Sequence, residues 1–254
     1  MSGPLTSTIF RRVLFYWGAV WTVFMMVFSG IGTVITFLIT RNPKGFMFWS
    51  KVWGYGICWG MGIRIRRTVH PELGAKGPYV FALNHQVALD IPAAGAVMPF
   101  PFGWVAKAEL AKIPFLGQSI AASPSVFIDR SHPKRSIESI RIAGEKIRDG
   151  VSVAIFPEGS RSHSGSLSEF KRGAFLLAIE AQVPVVPVVI LNAHELYNEK
   201  TRLVRPGVLM IRFGAPIDIS GWTRKDIPKL MELVESAMTS ELDEWNRSQT
   251  PSVA

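Results

Sequence analysis

The run from Val13 to Thr40, VLFYWGAVWTVFMMVFSGIGTVITFLIT, contains no charged residue and constrains the chain more than any other feature. About twenty consecutive apolar residues are enough for a helix to cross the hydrocarbon core of a bilayer, so this segment meets membrane. A secretory leader has a shorter apolar core and ends in a small-residue cleavage site, so the run reads as retained. A second apolar stretch, Phe46 to Ile63, is interrupted by Lys51 and carries Trp49, Trp53, Tyr55 and Trp59. That is the aromatic mixture favoured at the lipid–water boundary, and beyond Lys51 the stretch is too short to span. Basic residues flank both segments: Arg11 and Arg12, then Arg41 and Lys44, then Arg64, Arg66 and Arg67. For a single span the positive-inside rule gives no clean orientation. A two-helix hairpin dipping into one leaflet keeps all three clusters at the same anionic surface, and this is the expected arrangement. The rest of the chain then lies on the cytoplasmic face.

After Arg67 the texture changes to apolar runs separated by helical patterns. Strands are expected at Tyr79 to Leu83, Trp104 to Ala106, Ser125 to Ile128, Val151 to Phe156, Val183 to Leu191 and Val208 to Phe213, most of them continuously apolar and so buried on both faces. Between them Ile137, Ile140, Ala143 and Ile147 recur at helical spacing, as do Phe170, Ala174, Leu177, Ala178 and Ala181. A last helical stripe, Ile227, Leu230, Met231, Val234, Met238 and Leu242, has Asp226 as a candidate cap and Pro228 at its start; it reads as core packing. The alternation predicts an α/β fold with a mostly parallel sheet flanked by helices. The expected division is a membrane-anchoring two-helix element at 1–67, a catalytic domain at 68–245 and a flexible tail at 246–254. Two prolines, Pro184 and Pro187, interrupt VPVVPVVI, which argues for an edge or distorted strand.

Open α/β sheets bind ligands beyond the carboxyl ends of their strands. His85, five residues ahead of Asp90 in NHQVALD, follows the first expected strand. If the helix begins at Asn84 or His85, Asp90 sits about one turn in and can fix the imidazole tautomer for a general base. The plainer reading is a capping histidine beside an unrelated aspartate. In FPEGSRS, residues 156–162, Gly159 permits a tight backbone approach, Ser160 can donate, and Arg161 offers a fork suited to phosphate. The plainer reading is a solvated turn with Glu158 in a surface pair. Lys107 in AKAEL and Arg130, after Asp129 in VFIDR, each place a cation just past a strand end.

The net charge of +9 fits an anionic partner, whether phospholipid, phosphorylated substrate or nucleic acid. Nucleic acid does not account for the apolar N-terminus, and no binding module for it is present. His70, His132, His163 and His194 have no metal-ligand spacing, and no metal is expected. The chain has no GxSxG turn, P-loop or GxGxxG fingerprint. Its single cysteine, Cys58, falls in the Trp-rich apolar segment as a small hydrophobe, leaving no evident covalent nucleophile.

Taken together, NHQVALD, VFIDR, FPEGSRS and VPVVPVVI resemble, in order and spacing, the four motif blocks of the 1-acylglycerol-3-phosphate acyltransferase family, across roughly Tyr79 to Ile190. The resemblance implies acyl transfer from a thioester, on coenzyme A or acyl carrier protein, to the free hydroxyl of lysophosphatidic acid, with no other cofactor. It implies His85 as general base, Asp90 as its orienter, and Arg130 with Glu158, Gly159, Ser160 and Arg161 as the holder of the glycerol phosphate; Lys107 matches a basic position found in many members. Ser160 stands where threonine is frequent, which keeps the hydroxyl. The motifs also serve acyl transfer to glycerol 3-phosphate, another lysophospholipid or a lyso-aminolipid. A protein that binds anionic lipid without chemistry is the remaining alternative.

Overall fold

In a computed structural model, residues 7–43, 45–74, 77–129 and 133–249 are described. Lys44, Arg130, His132 and residues 250–254 of the expected tail lie outside them, as does the side chain of Ile137. Helices α1 (Thr8–Thr40) and α2 (Gly45–Gly60) form the N-terminal hairpin. They are followed by β1 (Ile63–Val69), β2 (Val80–Leu83), α3 (Asp90–Val97), β3 (Phe102–Lys107), α4 (Leu116–Ala121) and β4 (Val126–Ile128). The second half runs α5 (Pro133–Arg148), β5 (Ser152–Ile155), α6 (Arg172–Ala181), β6 (Val185–Ile190), α7 (Ala193–Leu196), β7 (Tyr197–Asn198), β8 (Leu203–Val204), β9 (Gly207–Phe213) and α8 (Ile227–Gln249).

Among the described residues the main sheet has seven strands in the order β1-β9-β6-β2-β5-β3-β4. The five from β6 to β4 run parallel, while β9 pairs antiparallel with β6 and carries β1 parallel to itself. The fold class is therefore the expected one. Side chains alternate between the faces of the sheet. Phe81 and Leu83 of β2 join a core with Ile57, Met61, Ala93, Ala94 and Met98, under α2 and α3. Val80 and Ala82 face the other way, into a core with Ile140, Ala143, Ile147, Leu177, Leu230 and Val234, under α5, α6 and α8. The sheet is thus covered on both sides.

The structure differs from the sequence reading at four places. The segment IRIRRTV, read as a basic flank of the membrane element, is edge strand β1, so the sheet begins at Ile63, ahead of the expected boundary at 68. Its arginines are exposed, with Arg67 also donating to the Val97 carbonyl; β1 is an edge strand among the described residues, and charge on such an edge discourages further pairing. The prolines of VPVVPVVI do not make β6 an edge; the strand is wholly buried between β9 and β2. The Pro187 carbonyl accepts from Gly214 N–H at 2.8 Å, so its ring nitrogen faces the same side, where the ladder with β9 starts only at Val188. The proline therefore costs only the reciprocal bond of that terminal pair, Pro187 with Gly214. A 3-10 turn, Arg224–Asp226, precedes α8 and is capped by a reciprocal box, in which Thr223 Oγ1 accepts from Lys225 N–H and Asp226 reaches back to Thr223 N–H at 2.8 Å. Finally, α8 continues to Gln249, past the expected tail start at 246, with Trp245 half-buried against the core.

The hairpin is welded to the sheet through α2 and α3. Ser50 Oγ donates to the Gly95 carbonyl at 3.2 Å, and a Cβ on Gly54 would collide with the Pro92 carbonyl oxygen and stand 2.8 Å from Ala96 Cβ. Glycine is needed for that close approach. In a free helix Gly→Ala gains roughly 0.5–1 kcal/mol, whereas overpacking a tight contact costs roughly 1–3 kcal/mol, so the steric term wins. Gly54→Ala is expected to lower the melting temperature by several degrees; a value at or above wild type would show that α2 and α3 are not in this contact.

Candidate active site

Beyond Leu83 the chain leaves the sheet and wraps around one carboxylate oxygen. Asp90 Oδ2 accepts from Gln86 N–H at 2.5 Å and Val87 N–H at 2.8 Å, and faces His85 Nδ1 at 2.9 Å. Because those backbone donors are turned onto the carboxylate, residues 84–89 are not helical and Asp90 opens α3 instead of lying a turn inside it. Asp90 is completely buried. Burial pushes its carboxyl above the ordinary aspartate value, while the His85 hydrogen bond and the Val87 and Gln86 N–H groups work against that shift. With a carboxylate as partner, Nδ1 is assigned the proton, which leaves the Nε2 lone pair for chemistry. The ring is fixed a second way: it stacks on Phe156 with centroids 4.1 Å apart, and Phe156 stacks on Trp104 at 5.8 Å.

Phe156 begins the loop after β5, and that loop is zipped to the His85 turn. Ser162 N–H donates to the His85 carbonyl at 2.8 Å and His163 N–H to the Gln86 carbonyl at 3.0 Å. Glu158, read from sequence as a substrate contact, is buried and faces inward. Its Oε1 accepts from His85 N–H at 2.7 Å and its Oε2 from Ser168 N–H at 2.9 Å. Burial pushes this carboxyl up as well, opposed by the His85 and Ser168 donors. Glu158 thus ties two loops together, behind the surface that a ligand would touch. Gly159 makes the sharp turn with φ of 72°, and its N–H closes back on the Phe156 carbonyl at 3.1 Å. Asn84 and Gln86 fasten the same turn to the end of β6: Asn84 pairs with the Ile190 N–H and carbonyl at 2.7 and 2.9 Å, and Gln86 Nε2 donates to Ile190 O at 2.8 Å.

A cavity of about 400 Å³ opens in front of the His85 ring. His85, Lys107, Gly159 and Tyr197 line it at the strand ends, and Met26, Phe46, Trp49, Trp53 and Ile57 line it where it runs between α1, α2 and the sheet. Lys107, the exposed last residue of β3, is level with Ile128 of β4, from which the chain continues to Asp129. Arg130 lies outside the described residues. Ser160 is exposed on the Gly159 turn, and Arg161 is half-exposed with Nη1 held by Glu199 at 2.8 and 3.0 Å. The structure therefore brings His85, Lys107 and Gly159 to one cavity, sets Asp90 and Glu158 behind it, and leaves Ser160 and Arg161 at its side. Glu199 was not singled out from sequence, and the segment YNEK carries no pattern that would have marked it. Among the described residues no group of three or more His, Cys, Asp or Glu side chains could hold a metal ion. Cys58 is buried off the cavity, its thiol pushed up to about 12 by desolvation.

Fold and site define an α/β domain in which an aspartate-paired imidazole faces an apolar cavity that runs under the N-terminal hairpin. The family profile Acyltransferase matches residues 64–191. The 1-acyl-sn-glycerol-3-phosphate acyltransferase of Saccharomyces cerevisiae is 30% identical over 244 residues, 93% of this chain and 80% of that protein. The alpha form of the same enzyme from Mus musculus is 35% identical over 182 residues, 70% of this chain and 63% of its own length. In fold, the chain matches the crystal structure of the 1-acyl-sn-glycerophosphate acyltransferase PlsC from Thermotoga maritima with a TM-score of 0.79 at 24% identity, covering 94% of this chain and 97% of that one. This chain belongs to the acyltransferase family and is an O-acyltransferase.

Proposed function

We propose that this protein transfers an acyl chain from a thioester, on coenzyme A or acyl carrier protein, to the sn-2 hydroxyl of 1-acyl-sn-glycerol 3-phosphate, giving phosphatidic acid. The observation that carries the reading is the His85 ring, backed by Asp90 at 2.9 Å and set at the mouth of an apolar cavity beside Lys107. The relatives' names supply the acceptor. His85 Nε2 takes the hydroxyl proton as the oxygen bonds to the thioester carbon; Asp90 stabilises the imidazolium. Collapse of the tetrahedral intermediate breaks the C–S bond, and the proton passes from the imidazolium to the leaving thiolate. A thioester is activated enough for direct attack, so no acyl-enzyme is needed. The cavity takes apolar chain, its volume falling in the usual range of ligand sites, roughly 300–1,000 Å³. Lys107, Arg161 and Arg130 supply charge for the phosphate.

Membrane contact follows from the same helices. By length and composition α1 can cross a bilayer. It is, however, fastened to the domain near both ends: Tyr16 Oη accepts from Arg202 at 3.2 Å and Phe15 stacks on Tyr197 at 5.4 Å, while Gly30 lies against the Phe115 backbone. An exposed apolar stripe through Ile9, Val13, Val20, Phe24, Ile35 and Ile39 runs its length. A helix so held lies along one leaflet, with the cavity facing the lipid from which the acceptor comes.

The test is an acceptor screen. Purified protein is supplied with an acyl thioester and, in turn, lysophosphatidic acid, glycerol 3-phosphate, other lysophospholipids and a lyso-aminolipid, and thiol release is followed. Lysophosphatidic acid is expected to give the highest kcat/KM; no turnover with it would end this reading.

A further inference from the structure

The mechanism above leaves one well-placed charge without a role. Glu199 lies between β7 and β8, outside every motif, yet it touches two of them. Its Oε1 accepts from Ala88 N–H at 2.7 Å and from Arg161 Nη1 at 2.8 Å. Its Oε2 is 3.0 Å from the same Nη1 and 3.4 Å from His163 Nδ1. Ala88 belongs to the turn between His85 and Asp90, so one carboxylate joins the proposed base's own loop to the proposed phosphate arginine. The side chain of Glu199 is 19% exposed against 43% for Arg161, so the anchor is the better fixed of the two.

The way Arg161 is held matters. Only Nη1 is engaged; among the described residues Nε and Nη2 make no hydrogen bond. A guanidinium recognises phosphate through two parallel N–H groups, and the Nε–Nη2 edge is such a fork. An arginine free in solvent loses rotamer freedom when it clamps a ligand, and an anchor that orders it beforehand removes that loss from binding. The carboxylate also repels a phosphate, but the pair is partly exposed, where solvent and salt screen the repulsion.

We propose that Glu199 is a positioning residue for the acceptor's phosphate: it grips Arg161 by one nitrogen, at a fixed place relative to His85, and leaves the other edge as the phosphate fork. This rests on the acceptor reading given above.

The test is a double-mutant cycle on the full chain, with KM for lysophosphatidic acid and KM for the acyl thioester measured separately in wild type, Glu199→Ala, Glu199→Gln, Arg161→Ala and the Glu199→Ala/Arg161→Ala double variant. Glu199→Ala is expected to raise the acceptor KM about tenfold, with kcat and donor KM within about threefold of wild type. The double variant is expected to match Arg161→Ala alone, and Glu199→Gln, which keeps an acceptor for Arg161, to show a smaller rise than Glu199→Ala. If Glu199→Ala does not fold, Glu199→Gln, Arg161→Ala and their double variant give the same cycle. An unchanged or lowered acceptor KM, additive effects, or an equal effect on the donor would overturn the assignment while leaving the acceptor reading standing. Wild-type protein that does not acylate lysophosphatidic acid overturns both.

Discussion

His85→Ala is expected to reduce acyl transfer by about 10²–10⁴-fold, the usual worth of a positioned general base, without loss of fold or of vesicle binding. The structure argues for this separation because the backbone of residue 85 keeps its bonds whatever the side chain is. Its N–H donates to Glu158 and its carbonyl accepts from Ser162, and both survive the substitution. What goes is a ring at the rim of the cavity, stacked on Phe156, and its bond to Asp90 Oδ2, which keeps its Gln86 and Val87 N–H donors, so the lost contacts border space that a ligand or water can fill. The membrane surface is made by α1 and α2 and is untouched. Measured together, thiol release, the melting temperature and sedimentation with anionic vesicles should show the first collapsing while the other two stay near wild type. Activity within about threefold of wild type would remove His85 as the base.

The parts of this arrangement that could be seen in the sequence are those whose chemistry is local. Continuously apolar runs give β2, β5 and β6 because strands covered on both faces have no polar side to display. The 3.6-residue stripes give α6 and α8 for the complementary reason. Strand β1 escaped because an edge strand with an exposed face alternates Ile with Arg, and three arginines beside an apolar segment look like the flank of a membrane helix. Pro187 misled in the opposite sense, since a missing donor loses only one bond where it falls at the end of a ladder, and where the ladder ends depends on a register set by residues far along the chain. The same limit applies at the site. The spacing of His85 and Asp90 is short enough to be read directly, but Glu158 meets His85 across 73 residues of sequence, and Glu199 meets Ala88 across 111 and Arg161 across 38. A carboxylate in a motif advertises its chemistry without saying which way it faces.

Asp90→Asn is expected to lower acyl transfer by a similar factor, about 10²–10⁴, while changing the melting temperature little. The amide can sit in two ways. With its oxygen in the place of Oδ2 it still accepts from Gln86, Val87 and His85 Nδ1, so the loop holds, but the negative charge that stabilises the imidazolium is gone, and the NH₂ takes the place of Oδ1, a buried atom with no partner among the described residues. Reversed, the NH₂ faces two backbone N–H groups and turns His85 Nδ1 into an acceptor, placing the proton on Nε2, where it cannot accept one from a hydroxyl. The first arrangement weakens the base and the second removes it. Stability has compensating terms: an unpartnered buried amide costs roughly 1–3 kcal/mol, but a fully buried carboxylate, whose ionised form desolvation already disfavours, has been removed. Parallel measurement of kcat/KM and thermal unfolding separates this from a scaffold role. If activity falls only in proportion to a large loss of folded protein, Asp90 shapes the 84–89 turn and does not tune the imidazole.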